Sequence, residues 1–452
     1  MEKTVLLVGD AQFLAEMYGV LSPLTGVVES LGDEKDALKK MRGEHIRTMV
    51  VDDDVCSRKT FGRLLAHAKR VGKDVIVLSS DARHEKILAA QKAGASDYIL
   101  KPHHVREFIA RFNAVRYKKT RIVCLGGGTG LFNLLIGLKD IRNTLLFSIV
   151  STTDDGGSSG RLRASFGILP PGDIRRSLVA LSDAPELMNQ LMQYRFTKGG
   201  HFVGHNFGNL FLTALAELRG SMTAAVRDIS DLLYLQGIVL PAVENQATLC
   251  ARFKNGKVIK GESAIDLCKG RDPELLITKV WHEPEAICNK NLFPVLINAD
   301  LVLIGPGDLY TSVVTNLLVK DIRRALAITK AKKVFICNLM NKPGETSGYD
   351  AATHTKEIVR YMGGDYLDYA IYSSTYLSFS AIQRYAENKQ TLVSVGNVDA
   401  LRRITKAKII LDDVSHETEL VRHDSAKIRR EIEKVIAGKT NKHARNLPLQ
   451  GS

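Results

Sequence analysis

The chain has 452 residues, with 63 Lys and Arg against 49 Asp and Glu, a formal charge of +14. Its 45% hydrophobic and 25% charged residues are those of a globular protein and exclude intrinsic disorder and collagen-like repeats. Six cysteines without CxxC spacing exclude a zinc ribbon and a disulfide scaffold, and no 18-residue apolar run is present, so neither a spanning helix nor a secreted product is expected and a cytoplasmic location is.

The first 115 residues alternate short apolar runs with helical stretches, read as βαβαβ. Val5–Val8 is a buried strand within a start, MEKTVLLVGD, that is not a signal peptide. Lys35–Met41 lies in a helical stretch, and Thr48–Val51 is a strand ending in Asp52, Asp53 and Asp54. Val75–Leu78 then leads to Ser79, and Tyr98-Ile99-Leu100 leads to Lys101-Pro102. Such an order predicts a parallel sheet with helices on both faces and working residues at the strands' carboxyl ends. Asp10, Asp52, Ser79 and Lys101 stand there. Carboxylates can hold Mg²⁺, one of them can attack a phosphoryl donor, and a hydroxyl and an ammonium can sense the new charge.

With its GASDYILKP stretch, this segment resembles a receiver domain of two-component signalling. The resemblance implies Asp52 as phosphoacceptor, Asp10 and Asp52 as Mg²⁺ ligands, Ser79 as switch hydroxyl, Lys101 as phosphate sensor and Tyr98 as switch aromatic. It implies a sensor histidine kinase or another phosphodonor as partner. Two departures stand out: Gly9 precedes a single Asp10 where receivers carry two acids, and Asp53-Asp54-Val55 replaces the usual turn after the phosphoacceptor.

A helix over Val105–Tyr117 and a short basic junction (Arg116, Lys118, Lys119) lead into the strand Arg121–Leu125. Gly126-Gly127-Gly128-Thr129-Gly130 follows it and enters an apolar helix. Free N–H groups at such a start favour an anion, although Leu131 breaks the dinucleotide fingerprint and no Gly-Lys-Ser/Thr follows. After the strand Leu145–Val150 comes Thr152-Thr153-Asp154-Asp155-Gly156-Gly157-Ser158-Ser159, with paired acids for ribose hydroxyls or a cation. Pro170-Pro171-Gly172-Asp173 offers Asp173 as a helix cap or a ligand. His205-Asn206-Phe207-Gly208-Asn209 opens the helix Leu210–Leu218. The stretch around Lys254–Lys260 reads as a hairpin turning at Asn255-Gly256, with no chemistry assigned. After the strand Leu301–Ile304, the loop Gly305-Pro306-Gly307-Asp308-Leu309-Tyr310-Thr311-Ser312 is a second candidate phosphate cradle.

The order GGGTG, DDGGSSGRLR, GILPPGDIR, HNFGNL, GPGDLYTS resembles the CofD-like superfamily over roughly residues 120–435, nearest its gluconeogenesis-factor branch, the YvcK type. The resemblance implies a Rossmann-like core, UDP-sugar binding, and a part in carbon metabolism, cell-wall growth and cell shape. By position it implicates Gly126 to Gly130, Asp154, Asp155, Gly156, Gly157, Ser158, Ser159, Asp173, His205, Asn206, Asn209, Gly305, Gly307, Tyr310, Thr311 and Ser312. It adds Tyr385, which can stack on a base or sugar, and Arg422, which can fork onto a diphosphate. Asp308 departs from the Ser expected in that loop; its carboxylate would repel a diphosphate unless a cation offsets it.

The expected fold is therefore α/β: a flavodoxin-like receiver domain (1–117), then a larger Rossmann-like doubly wound domain (118–435), then a polar tail (436–452). Nine of the fourteen net charges fall in residues 111–120 and 401–452. These read as a solvated linker and tail, so nucleic acid is not an expected partner. The expected function is a nucleotide-sugar-binding regulator under phospho-Asp control, working as a homo-oligomer, with no catalytic residue assigned beyond the phosphoacceptor. The alternatives are a CofD-type 2-phospho-L-lactate transferase acting on a deazaflavin, a non-catalytic scaffold, and a DNA-binding regulator; the last lacks a helix-turn-helix after the receiver.

Overall fold

Five short hydrophobic strands build the first sheet: β1 (Thr4–Val8), β2 (Gly26–Ser30), β3 (Ile46–Asp52), β4 (Asp74–Ser79) and β5 (Asp97–Leu100). In the computed structural model, which describes residues 4–30, 34–43, 45–267, 272 and 274–438, their order is β2-β1-β3-β4-β5 and every pairing is parallel. This is the flavodoxin-like order of doubly wound sheets. β2 has no counterpart in the sequence reading. It offers only Val27 and Val28 as an apolar run and sits at the sheet edge, where one-sided burial demands less hydrophobic sequence. Leu7, Val50, Ile76, Leu78, Ile99, Phe108 and Phe112 pack into one core.

This first unit comprises Met1–Arg121 together with Asn143–Leu145 and Phe293–Asn298. Within it the Phe293 ring stacks on His84, with centroids 3.7 Å apart. Gln91 Nε2 donates to the Ile297 carbonyl at 3.0 Å, and Asn298 Nδ2 donates to Asp97 at 3.2 Å. Asp97 also receives Arg111 Nε at 2.8 Å and Nη2 at 2.6 Å, and Glu107 receives Nη1 at 3.2 Å. The guanidinium of Arg111, 2% exposed, is thus buried between two carboxylates.

The second unit holds a seven-stranded sheet of β6 (Thr120–Gly126), β7 (Thr144–Val150), β8 (Gly237–Pro241), β12 (Leu301–Ile304), β13 (Lys332–Ile336), β14 (Tyr369–Ser373) and β15 (Lys408–Asp412). Its order, β15-β14-β13-β12-β6-β7-β8, is the Rossmann order extended by one strand. The pairs β12–β6, β12–β13, β13–β14, β14–β15 and β7–β8 are parallel. Parallel strands buried on both faces need continuous apolar runs, and β12 and β13 supply them. Between β8 and β12 an antiparallel sheet is inserted, β9 (Thr248–Phe253), β10 (Val258–Lys260) and β11 (Ile277–Glu283), in the order β10-β9-β11. The hairpin is present, with Gly256 at φ +84°. A two-stranded piece, β16 (Ser415–Glu417) and β17 (Val421–His423), precedes the last helix, Ser425–Ile436. The tail expected over 436–452 lies, from 439 onward, outside the described residues.

Candidate functional site

β6 and β12 are neighbours from which the strand order runs outward in opposite directions, and a crevice opens beyond the carboxyl ends of such a pair. Both ends carry glycine. The loop after β6 enters the helix Gly128–Leu138, and the loop after β12 enters a wide turn over Leu309–Val314, where Val313 N–H bonds the Asp308 carbonyl five residues back. A Cβ on Gly130 would lie 2.4 Å from the Pro306 carbonyl oxygen, so the two loops meet through bare backbone.

A cavity of about 770 Å³ occupies this crevice, the size of a small-molecule site. It brings together twelve of the expected ligand residues: Gly127, Gly128, Thr129, Gly130, Asp154, Gly156, Gly157, Asp173, Gly307, Ser312, Tyr385 and Arg422. Gly128 N–H donates to Asp173 Oδ2 at 2.8 Å, and Arg176 Nη1 donates to Oδ1 at 3.2 Å. Burial pushes the Asp173 carboxyl up against the pull of Arg176, and Asp154 adds to the rise. The Tyr385 hydroxyl accepts the Val421 N–H at 2.7 Å, which fixes its ring beside Leu420 and Arg422 on the cavity wall. His423 lies next along, held to the Cys337 carbonyl at 3.1 Å; burial pushes its pKa down to about 4, so it is neutral near pH 7 and donates that bond.

Residues 122–415 match the family described as 2-phospho-L-lactate transferase CofD. A relative from Thermotoga maritima is 37% identical over 318 residues, covering 70% of this chain and 99% of its own length. The gluconeogenesis factor of Bacillus subtilis is 39% identical over 312 residues, 69% of this chain and 96% of its own. The chain belongs to the CofD family. Within that family it groups with the gluconeogenesis factors. A crystal structure of a Bacillus halodurans protein is 36% identical, with a TM-score of 0.67 over 70% of this chain and 99% of that one. The first 121 residues lie outside the family match.

The other expected ligand residues of the CofD-family unit lie outside the cavity lining. Gly126 accepts Ser151 N–H at 2.9 Å and Asn316 Nδ2 at 3.2 Å, and Gly305, at φ +80°, donates to Leu125. Asp155 receives Ser263 N–H at 2.7 Å, tying its loop to the helix Glu262–Asp266. Ser158, Ser159, His205, Asn206 and Asn209 form an interior cluster. Ser158 Oγ bonds His205 Nδ1 at 3.2 Å, Asn209 Nδ2 reaches the hydroxyls of Ser158 (3.3 Å) and Ser159 (3.5 Å), and Asn206 caps the helix Phe207–Arg219. Tyr310 is buried, bonded to Tyr349 at 3.1 Å and Glu357 at 3.0 Å; the N–H groups of Tyr310 and Thr311 donate to Glu345.

Several lining residues have no place in the sequence reading. Glu262, Ser263 and Asp266 come from the helix after the hairpin, and Asn338, Leu339, Met340 and Lys342 from the chain after β13. The second group follows from the strand-end rule, because β13 is next to β12. No local signal marks the first. Burial, with Asp154 and Asp173 nearby, pushes Glu262 up to about 8, so it is largely neutral at pH 7.

In the first unit the strand ends bring Lys101 to Asp52, whereas Ser79 lies against Asp53 and Asp54 and Asp10 serves as a helix cap. Asp52, 4% exposed, receives Lys101 Nζ at 2.6 Å. Ser79 Oγ lies 3.0 Å from Asp53 Oδ2 and 3.1 Å from Asp54 Oδ1, and Lys86 Nζ lies 2.5 Å from Asp53. Asp10 is exposed and caps the helix Ala11–Leu21 through Phe13 N–H at 2.8 Å. The Tyr98 ring is buried and its hydroxyl donates to the Asp81 carbonyl at 2.8 Å. Among the described residues no helix is long and apolar enough to cross a membrane.

Proposed function

We propose that this chain is a regulator of carbon metabolism and cell-wall growth that binds a nucleotide sugar, a UDP-sugar, in the 770 Å³ cavity. The observation that carries the reading is the meeting of two glycine loops at the β6/β12 crevice, facing an aromatic, Tyr385, and a cation, Arg422. Bare backbone and a helix start suit a diphosphate, a ring suits a base or sugar, and a guanidinium forks onto phosphate oxygens.

The first unit is read as a receiver. The Asp52 carboxylate would take the phosphoryl group of a histidine kinase or another donor, with Asp10 and Asp52 as the oxygen ligands of Mg²⁺, which supplies charge neutralisation during transfer. Lys101 already reaches Asp52, and Ser79 stands at the neighbouring strand end.

The test of the cavity is calorimetric titration with UDP-N-acetylglucosamine, with UMP and GDP as controls. Saturable binding, weakened tenfold or more in Arg422→Ala and Tyr385→Ala but retained in Tyr385→Phe, is the expected result. Binding of GDP with Mg²⁺ and none of the UDP-sugar would overturn it in favour of a phospholactate transferase.

A further inference from the structure

On one wall of the cavity, Asp266, Asp308 and Glu345 each bring a carboxylate oxygen to within 4.8 Å of the other two. They come from three separate segments: the helix after the hairpin, the loop after β12 and the chain after β13. Two of them, Asp266 and Asp308, face the cavity directly. Glu345 is 1% exposed. Its Oε1 takes the N–H groups of Tyr310 at 2.7 Å and Thr311 at 3.3 Å, while its Oε2 is buried with no hydrogen-bond partner. A buried carboxylate oxygen left bare is costly, and one beside two further acids calls for a cation.

One positive group is already there. Lys342 Nζ bonds Asp308 Oδ2 at 2.8 Å and also pairs with Asp266. A single ammonium against three carboxylates leaves the cluster two charges short of neutral when all are ionised.

We propose that Asp266, Asp308 and Glu345 form a site for a hard divalent cation, Mg²⁺ or Mn²⁺, for which the Lys342 ammonium is the built-in competitor. All-oxygen ligands select this class of ion over softer metals. Entry of the ion satisfies the bare oxygen of Glu345 and frees the ammonium to turn toward the cavity. The site is separate from the Asp52 centre of the first unit. It does not depend on which ligand the cavity takes.

The test is titration of the full chain with MnCl₂ alone, followed by calorimetry and by loss of the free-ion paramagnetic signal. Lys342→Gln should bind one Mn²⁺ at least tenfold more tightly than wild type. Adding Asp308→Asn or Glu345→Gln to that variant should abolish the gain, and adding Asp52→Asn should leave it intact. Should Lys342→Gln not fold, the readout is the melting temperature of Asp52→Asn, raised by Mn²⁺ and no longer raised when Asp308→Ser is added to it. A Mn²⁺ affinity and stoichiometry untouched by Lys342→Gln, or a melting shift of Asp52→Asn that survives the addition of Asp308→Ser, overturns the proposal.

Discussion

Asp308 shows how one side chain is judged by its neighbours. A carboxylate beside an anion repels it, but here the Lys342 ammonium, shared with Asp266, lies 2.8 Å from Asp308 and offsets part of that charge. Lys342→Met should therefore weaken a diphosphate ligand more than Asp308→Ser does, because the first leaves the Asp266 and Asp308 carboxylates uncompensated and the second leaves the ammonium with Asp266 alone; calorimetry on the two variants checks the order. Glu262 supplies a pH dependence. Its pKa of about 8 stands above the ordinary 4.5, so the stability it contributes is complete below about 4.5 and is lost as pH rises through 8. The same ionisation adds negative charge beside Asp154 and Asp173. Affinity for an anionic ligand should fall as pH rises through 8 in wild type and stay flat there in Glu262→Gln. The chain's DDGGSSG and PPGD motifs made Asp154 and Asp173 legible as site residues. Glu262 was not, because its role depends on a hairpin that carries it back over a sheet more than 100 residues upstream.

At the scale of elements, the site is a contact between two loops. Gly130 is the first residue whose side chain would close it: a methyl there meets the Pro306 carbonyl at 2.4 Å. Gly130→Ala should cost about 1–3 kcal/mol of stability through overpacking and should weaken nucleotide-sugar binding, measured by thermal melting and titration. The DDGGSSG loop is anchored differently. Asp155 ties it to the Glu262–Asp266 helix, and Ser158 and Ser159 tie it to the Phe207–Arg219 helix through Asn209. A motif that looks like ligand chemistry is here shared between the cavity and its scaffolding. Sequence could not apportion it, because hydroxyls and acids at glycine turns serve both ends.

For the whole molecule, the segment Phe293–Asn298 matters most. It packs within the first unit, on His84 and Gln91 and beside Asp97, and its chain continues through β12 to the Gly305–Gly307 loop of the cavity. The chain therefore runs directly from a segment of the first unit into a loop that lines the cavity. Phosphorylation at Asp52 is expected to change UDP-sugar affinity, and Phe293→Ala is expected to uncouple the two while each still occurs. Titrating phosphorylated wild type, Asp52→Asn and Phe293→Ala decides it; equal affinity before and after phosphorylation of wild type rules it out. Arg111→Ala would leave Asp97 and Glu107 as uncompensated buried charges and should cost about 3–5 kcal/mol, seen as a lowered melting temperature.

Two α/β sheets, four of the five strands of the first and three of the seven of the second, and the glycine loops at the strand ends were legible in the sequence itself, because buried parallel strands need unbroken apolar runs and strand-to-helix turns need glycine. So was the resemblance to the CofD family, which the order of five motifs carries. The tertiary structure alone decided which motif residues face the cavity, that Lys342 meets Asp308 and Asp266, that Glu345 keeps a bare oxygen, and that residues 293–298 pack with the first unit. Those facts are meetings between segments far apart in the chain. Charge and burial act through space, so only the fold could set their terms.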